Sequence, residues 1–239
     1  MLLANEKKPF VPVITIDGLS GSGKGTLGQL LARELSWHFL DSGAIYRAAA
    51  WRALSTQTPF EEAKLLPLMD DLSLHFSTRV SDQTQRFFWQ KQDITTSIRT
   101  PEIGQLASQL GTYPKIRKAL LAYQRAFRRA PGLVADGRDM GSVVFPDAVL
   151  KVFLKASLEA RAKRRYSQLK LTRKHVSLDA VRTELEQRDR RDRGRLLAPL
   201  VAPSGAVTVD TTNLGIQDVL QRIKSKLPRA QMNTYKGGH

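Results

Sequence analysis

Four groups of residues in this chain have the types and spacing to handle anions. The first is the run Gly18, Leu19, Ser20, Gly21, Ser22, Gly23, Lys24, Gly25 and Thr26, a glycine-rich loop placed directly after the apolar stretch that begins at Val13. Glycine tolerates positive φ and lets backbone come close to an anion. The helix predicted to follow points its first N–H groups at the same place, and Lys24 adds a mobile positive charge for outer phosphates. The spacing from Gly18 to Lys24 is that of a Walker A loop, except that Gly25 follows the lysine and the hydroxyl is displaced to Thr26. The second group is Asp41, Ser42 and Gly43, followed at once by Tyr46 and Arg47. The third is Asp136, Gly137, Arg138 and Asp139. The fourth is Arg188, Asp192 and Arg195, spaced by four and then three residues. Together they describe a triphosphate cradle facing a second, arginine-rich anion site, which is the equipment of phosphoryl transfer.

The elements that position these groups are legible from periodicity. Short apolar runs at Val13, Trp37–Leu40, Leu133–Asp136, Val149–Leu154 and Ala206–Asp210 read as buried strands, and helical patterns lie between them. Such alternation predicts a parallel sheet with helices on both faces. Ligands of these sheets bind at the carboxyl ends of the strands, so Asp17, Asp41, Asp136 and the glycine loop are expected to converge on one cleft. Asp41 or Ser42 can cap the helix carrying Tyr46 and Arg47. Glu61 to Asp71 is helical, and Leu72 to Ile98 changes to an antiparallel β insert whose Phe87, Phe88 and Trp89 are read as its own core, with base stacking as the alternative. Helices are expected over Pro101–Gly111, Pro114–Arg129, Ser157–Gln168 and Ile216–Leu227, with a lapse at Lys170–His175 and disorder after Pro228. Ser177 caps a further helix whose apolar stripe, Leu178, Val181 and Leu185, continues as Arg188, Asp192 and Arg195. An intrahelical ladder of ion pairs and a charged face aimed into a cleft both fit that stripe.

Composition bounds the partners. The chain has 239 residues, 41% of them hydrophobic, enough for one enzyme domain with inserted subdomains. No apolar run approaches the ~20 residues of a membrane span, and Met1 to Phe10 lacks the apolar core of a signal peptide, so a cytoplasmic protein is expected. The absence of cysteine excludes disulfides, thiolate metal sites and cysteine nucleophiles. A formal net charge of +16, concentrated in Arg117–Arg129 and Lys155–Arg195, calls for polyanionic ligands such as nucleotides or RNA. No guanine-reading Asn-Lys-x-Asp motif accompanies the loop, which argues against a switch GTPase.

These motifs, Asp17 to Thr26, Asp41 to Arg47, Asp136 to Asp139 and Arg188 to Arg195, resemble those of the bacterial cytidylate kinases within the nucleoside monophosphate kinase superfamily. The similarity runs from Val11 to Leu227. The resemblance implies a three-layer α/β P-loop kinase fold with a parallel five-stranded sheet. It implies a core of about 9–60, 100–156 and 196–228, a monophosphate-binding β insert of about 61–99 and a basic lid of about 157–195. It implies transfer of the γ-phosphoryl group of ATP to CMP or dCMP by a monomer, with Mg2+ and without membrane or obligate nucleic acid. Lys24, Arg138 and Arg188 are the implied catalytic residues. ATP would be held by Gly18 to Thr26 with Arg161 and Arg164, in a helix that also carries Arg165. Ser42, Arg117, Asp139 and Arg195 would surround cytosine; Ser108, Arg188 and Asp192 the ribose; Tyr46, Arg47 and Arg138 the CMP phosphate. Thr26 or water, with Asp136 as an outer-sphere anchor, would serve magnesium, Asp136 being alternatively a structural aspartate that closes its strand. Leu19 departs from the family's usual proline, and Gly25 occupies the usual hydroxyl position. A UMP-preferring or other small-molecule P-loop kinase, and a basic P-loop protein that binds RNA, are the rival readings.

Overall fold

A computed structural model of the chain describes residues 10–81, 84–171, 175–195 and 197–228, without the side chains of residues 73, 74, 79–81 and 84. Strand β1 (Val13–Gly18) is buried along its whole length, as a central strand covered on both faces must be. It pairs in parallel with β6 (Leu133–Gly137) on one side and β7 (Leu150–Lys155) on the other. Outside these lie β2 (His38–Asp41) and β8 (Val207–Asp210), giving the five-stranded order β2-β6-β1-β7-β8. The register sets Asp41 beside Asp136 and Asp17 beside Gly137, so three strands end at one level.

Both faces of this sheet are covered. Helices α1 (Lys24–Leu35) and α9 (Ile216–Lys224) pack Leu27, Leu31, Val219 and Ile223 on Ile14, Ile16 and Val152. On the other face lie α2 (Ser42–Ser55), α5 (Pro101–Leu110) and α6 (Pro114–Arg125). The buried run Ala48, Ala49, Ala50 and Ala53 on α2 gives neighbouring helices a surface without bulky side chains to pack against. The insert consists of α3 (Glu62–Leu65), α4 (Pro67–His75) and an antiparallel sheet of β3 (Phe76–Ser81), β4 (Thr84–Trp89) and β5 (Gln92–Asp93). Phe87 and Trp89 belong to the same hydrophobic cluster as α2, so they are core and not a stacking platform. Helix α7 (Leu158–Lys170) packs on α8 (Leu178–Arg193) through Ala162, Leu169, Val181 and Leu185.

Several boundaries differ from the expectation. Helix α4 runs on to His75, so the insert's strands begin at Phe76 and not at Leu72. Helix α6 stops at Arg125, where the guanidinium donates to the carbonyls of Val143 and Val144 and ties the helix end to the turn after β6. The stretch after residue 228, expected to be disordered, lies outside the described residues, as do residues 172–174 within the predicted lapse. Asp41, Ser157 and Ser177 do cap α2, α7 and α8, accepting from the N–H groups of Ala44, Ala160 and Ala180.

Asp17 is not a member of the cleft. It is fully buried beneath it, and its two carboxylate oxygens accept from the backbone N–H groups of Met140 and Gly141, both at 2.8 Å. These bonds fasten the π-helical turn Met140–Val144 that follows Arg138 and Asp139. Burial pushes the Asp17 carboxyl up to about 7, against the two N–H bonds that favour its charged form. Asp17→Asn is expected to cost about 1–3 kcal/mol, because an amide must turn its own NH2 toward one of two donors. Chemical denaturation measures it; an unchanged midpoint would mean that the turn holds itself.

Candidate active site

At its C-terminal end β1 enters the glycine loop. Gly18 has φ +151°, and a Cβ there would stand 2.4 Å from the carbonyl oxygen of Leu154, so only glycine fits against β7. Gly23, at φ +94°, forms the left-handed entry to α1. Lys24 is the first residue of that helix. It is buried, and its Nζ donates to the carbonyl of Leu19 at 2.8 Å, which folds the loop around the ammonium. Burial, then the nearby Arg138 and Arg188, lower Lys24 to about 7, while Asp136 works the other way.

The lysine lines a cleft of about 230 Å3 whose other walls come from Asp41 to Arg47, α5, α6, the turn after β6 and α8. Asp41 holds Arg47 at 2.8 Å while capping α2. Ser42 accepts a hydrogen bond from Gln124 at 2.8 Å, and Arg117 is paired with Asp139. Burial pushes the Tyr46 phenol up to about 12, so it stays protonated and able to donate. Behind these groups, nearly inaccessible, Asp192 binds Arg138 Nε at 2.7 Å with one oxygen and Arg195 at 2.6 Å with the other. Burial alone would raise Asp192, but Arg138, Arg195 and Arg188 together hold it down at about 2. Arg188 is lowered to about 9 by burial first and by Arg138 next, and its Nε is buried without a hydrogen-bond partner. Such a cation at a cleft wall is built to meet negative charge.

Asp136 closes β6 within the same cleft. Burial, with Asp41 adding to it, raises its carboxyl to about 6 against the opposing pull of Lys24. A Cβ on Gly25 would stand 3.3 Å from its Oδ2, so glycine in the usual hydroxyl position leaves the carboxylate facing the cradle.

The structure thus brings together Ser20, Gly21, Lys24, Gly25, Ser42, Tyr46, Arg47, Ser108, Arg117, Arg138, Asp139, Arg188 and Arg195 along one cleft. Others stand apart. Thr26 is exposed and lines a different groove, because two residues along a helix from Lys24 is more than half a turn away. Asp192 anchors the arginines from behind. Arg161 is buried, not presented to the cleft: it makes two bonds to Asp189, at 3.0 and 2.6 Å, and donates to the carbonyls of Ser20 and Ala156. Arg164 is committed to Thr211, through its hydroxyl at 3.1 Å and its carbonyl. Sequence reasoning missed Asp189, Gln124 and Arg191, the last of which donates to Ser108 at 3.3 Å. The only signal for Asp189 was an extra carboxylate beside Arg188, on the adjoining face of the helix.

A parallel sheet whose central strand empties into a phosphate cradle opposite a bank of arginines defines a P-loop phosphotransferase. The sequence profile of the family described as Cytidylate kinase matches residues 14–229, and the chain belongs to that family. It is 52% identical to the cytidylate kinase of Methylococcus capsulatus over 88% of this chain and 94% of that one. It is 51% identical to that of Pseudomonas entomophila over 90% and 95%, and 50% identical to that of Aeromonas salmonicida over 90% and 93%.

The Arg161–Asp189 pair joins the cradle to α8, since Arg161 also holds Ser20 and its Cβ would lie 3.1 Å from one on Gly21. Breaking a buried pair on one side costs about 3–5 kcal/mol. Asp189→Asn is therefore expected to lower the melting temperature and to speed amide exchange across residues 18–23 while β6 keeps its protection. Equal exchange in the loop of variant and parent would show that the glycine turns hold it unaided.

Proposed function

We propose that the chain transfers the γ-phosphoryl group of ATP to CMP or dCMP, giving ADP and CDP or dCDP. The observation that carries this reading is that one cleft joins the cradle lysine to Arg138, Arg188 and the Arg117–Asp139 pair. Lys24 and the loop N–H groups hold the donor phosphates. Arg47 and Arg138 take the acceptor phosphate with Tyr46, and Arg188 stands between the two as the charge that follows the moving phosphoryl group. Little covalent chemistry is asked of the protein beyond alignment and neutralisation in a site closed to water. Asp139, an acceptor only, suits the N4 amino group of cytosine, and Arg117 and Arg195 offer donors for O2 and N3. Ser42 adds a further contact to the base; Ser108 and Arg188, with Asp192 behind them, serve the ribose.

Magnesium fits the donor set. No group of three acidic or imidazole side chains forms a cage among the described residues, and the single carboxylate of Asp136 at the cradle suits an ion that keeps most of its waters and binds substrate phosphates. Asp136 would hold it through water, while the Thr26 hydroxyl lies on another surface. An ion held there would supply charge neutralisation for the donor phosphates. Residues 61–99 are assigned as the acceptor-side insert and 157–195 as the lid. In this arrangement Arg161 and Arg164 serve the donor site by holding Ser20 and residues 211–212. Action as a monomer is part of this proposal. No helix among the described residues is long and apolar enough to cross a membrane, and the proposed substrates are those of the cytoplasm.

The test is ATP consumption with a panel of nucleoside monophosphates, with and without RNA, extended to two variants. Asp139→Asn can turn an amide donor toward uracil O4, so it lowers kcat/KM for CMP and narrows the CMP to UMP preference, one such contact being worth about 1–3 kcal/mol. Arg138→Ala weakens both acceptors about equally, because phosphate is common to them. If Asp139→Asn lowers both acceptors alike and Arg138→Ala changes the ratio, the two roles are reversed. RNA-stimulated turnover without a monophosphate would favour the RNA-binding reading.

A further inference from the structure

Helix α5 faces the arginines of α8, and one of its faces measures out the length of the cleft. Gly104, Ser108 and the C-cap Gly111 follow four-and-three spacing and so lie in one row. A Cβ on Gly104 would stand 3.8 Å from Nη1 of Arg188, and one on Gly111 would stand 2.8 Å from Nη2 of Arg195. Arg188 belongs to the end of the cleft where its charge and that of Arg138 act on Lys24. Arg195 belongs to the end where Arg117 and Asp139 are paired and act on it. A nucleoside monophosphate lying along this row has its phosphate at the first end and its base at the second. Its sugar then falls at Ser108, one helical turn from each glycine.

Ser108 lines the cleft, and its oxygen is already engaged from behind. Nε of Arg191 donates to it at 3.3 Å, while Nη2 of the same guanidinium donates to Oε1 of Gln105, one turn earlier on α5. An arginine has no acceptor, so the serine oxygen must accept and its own proton stays unspent. A serine at the end of a helix readily turns that proton back to a carbonyl of its own turn, as Ser55 does to Arg52 and Ser225 to Arg222, both at 2.8 Å. Ser108 makes no such bond among the described residues, where Arg191 is its one hydrogen-bond partner. We infer that Arg191 positions Ser108 for recognition of the sugar: by holding the serine oxygen as an acceptor, it directs the O–H at a hydroxyl oxygen of the bound ribose. Arg191 does not touch the substrate itself; it sets the preference for sugars that carry hydroxyls. The inference rests on the reading of this cleft as a CMP site.

The experiment is calorimetry on the full chain with CMP and with 2′,3′-dideoxycytidine monophosphate, which lacks both sugar hydroxyls. It compares the parent, Arg191→Met, Ser108→Ala and the double variant. Arg191→Met removes the donors, and the released serine is free to turn its proton to a carbonyl of α5. The expected result is that Arg191→Met weakens CMP by about threefold to tenfold, the worth of one directed hydrogen bond, and leaves the dideoxy compound within about twofold of the parent. Ser108→Ala should do the same, and adding Arg191→Met to it should not change the ratio of the two affinities further. Both ligands meet the same variant protein, so a general loosening of α8 weakens them alike. An unchanged ratio in Arg191→Met overturns the inference, as does a ratio that falls again in the double variant. Phosphorylation of CMP by the parent is measured alongside. Its absence removes the proposed function and this inference with it, whereas its presence with an unchanged ratio overturns the inference alone.

Discussion

One buried carboxylate organises the functional half of this molecule. Asp192 sits at the C-terminal end of α8 with 1% of its side chain exposed, grips Arg138 with one oxygen and Arg195 with the other, and lies beside Arg188. Three guanidinium groups in one small cleft repel one another and each loses hydration on burial. Without a counter-charge they would spread toward solvent. A single carboxylate at their centre fixes their directions and leaves net positive charge on the cleft side, which is the condition for holding two anionic substrates together.

The same helix serves both halves of the reaction site. Asp189, one face round from Asp192, holds Arg161 and through it the carbonyl of Ser20 in the glycine loop. Asp192 holds the arginine of the turn after β6, and that turn is fastened from below by Asp17 at the end of β1. The glycine loop and the turn carrying Arg138 are thus linked twice, through the sheet and through α8. The apolar end of α8, Val181 and Leu185 packed on α7, is what supports this lever away from the sheet.

Much of this was legible in sequence because it is written locally. Buried strands announce themselves as short apolar runs, and Asp41, Ser157 and Ser177 stand where helices must be capped. The stripe from Leu178 to Asp192 turned from apolar to charged without leaving its face, and the structure sends Arg188 to the cleft with Asp192 behind it, while Arg195, expected on the same stripe, reaches the cleft from beyond the helix end at Arg193. What escaped is non-local. Asp17 reads as a cleft residue from its place after a strand, yet its partners are N–H groups more than a hundred residues away. Arg161 and Arg164 were implied at ATP by the resemblance alone, and the partners the structure gives them, Asp189 and Thr211, belong to other elements and leave no period in the sequence. Thr26 depended on where α1 begins: a start at Lys24 turns its hydroxyl outward.

The central claim is that the Asp192 charge positions the arginines and does more than stabilise the fold. Steady-state transfer from ATP to CMP by Asp192→Asn, at a temperature well below its melting point, tests this directly. The account predicts a loss of about a hundredfold or more in kcat/KM with the fold intact, comparable to removing a preorganised electrostatic group. Transfer at the parent's efficiency, with only the melting temperature reduced, would contradict it.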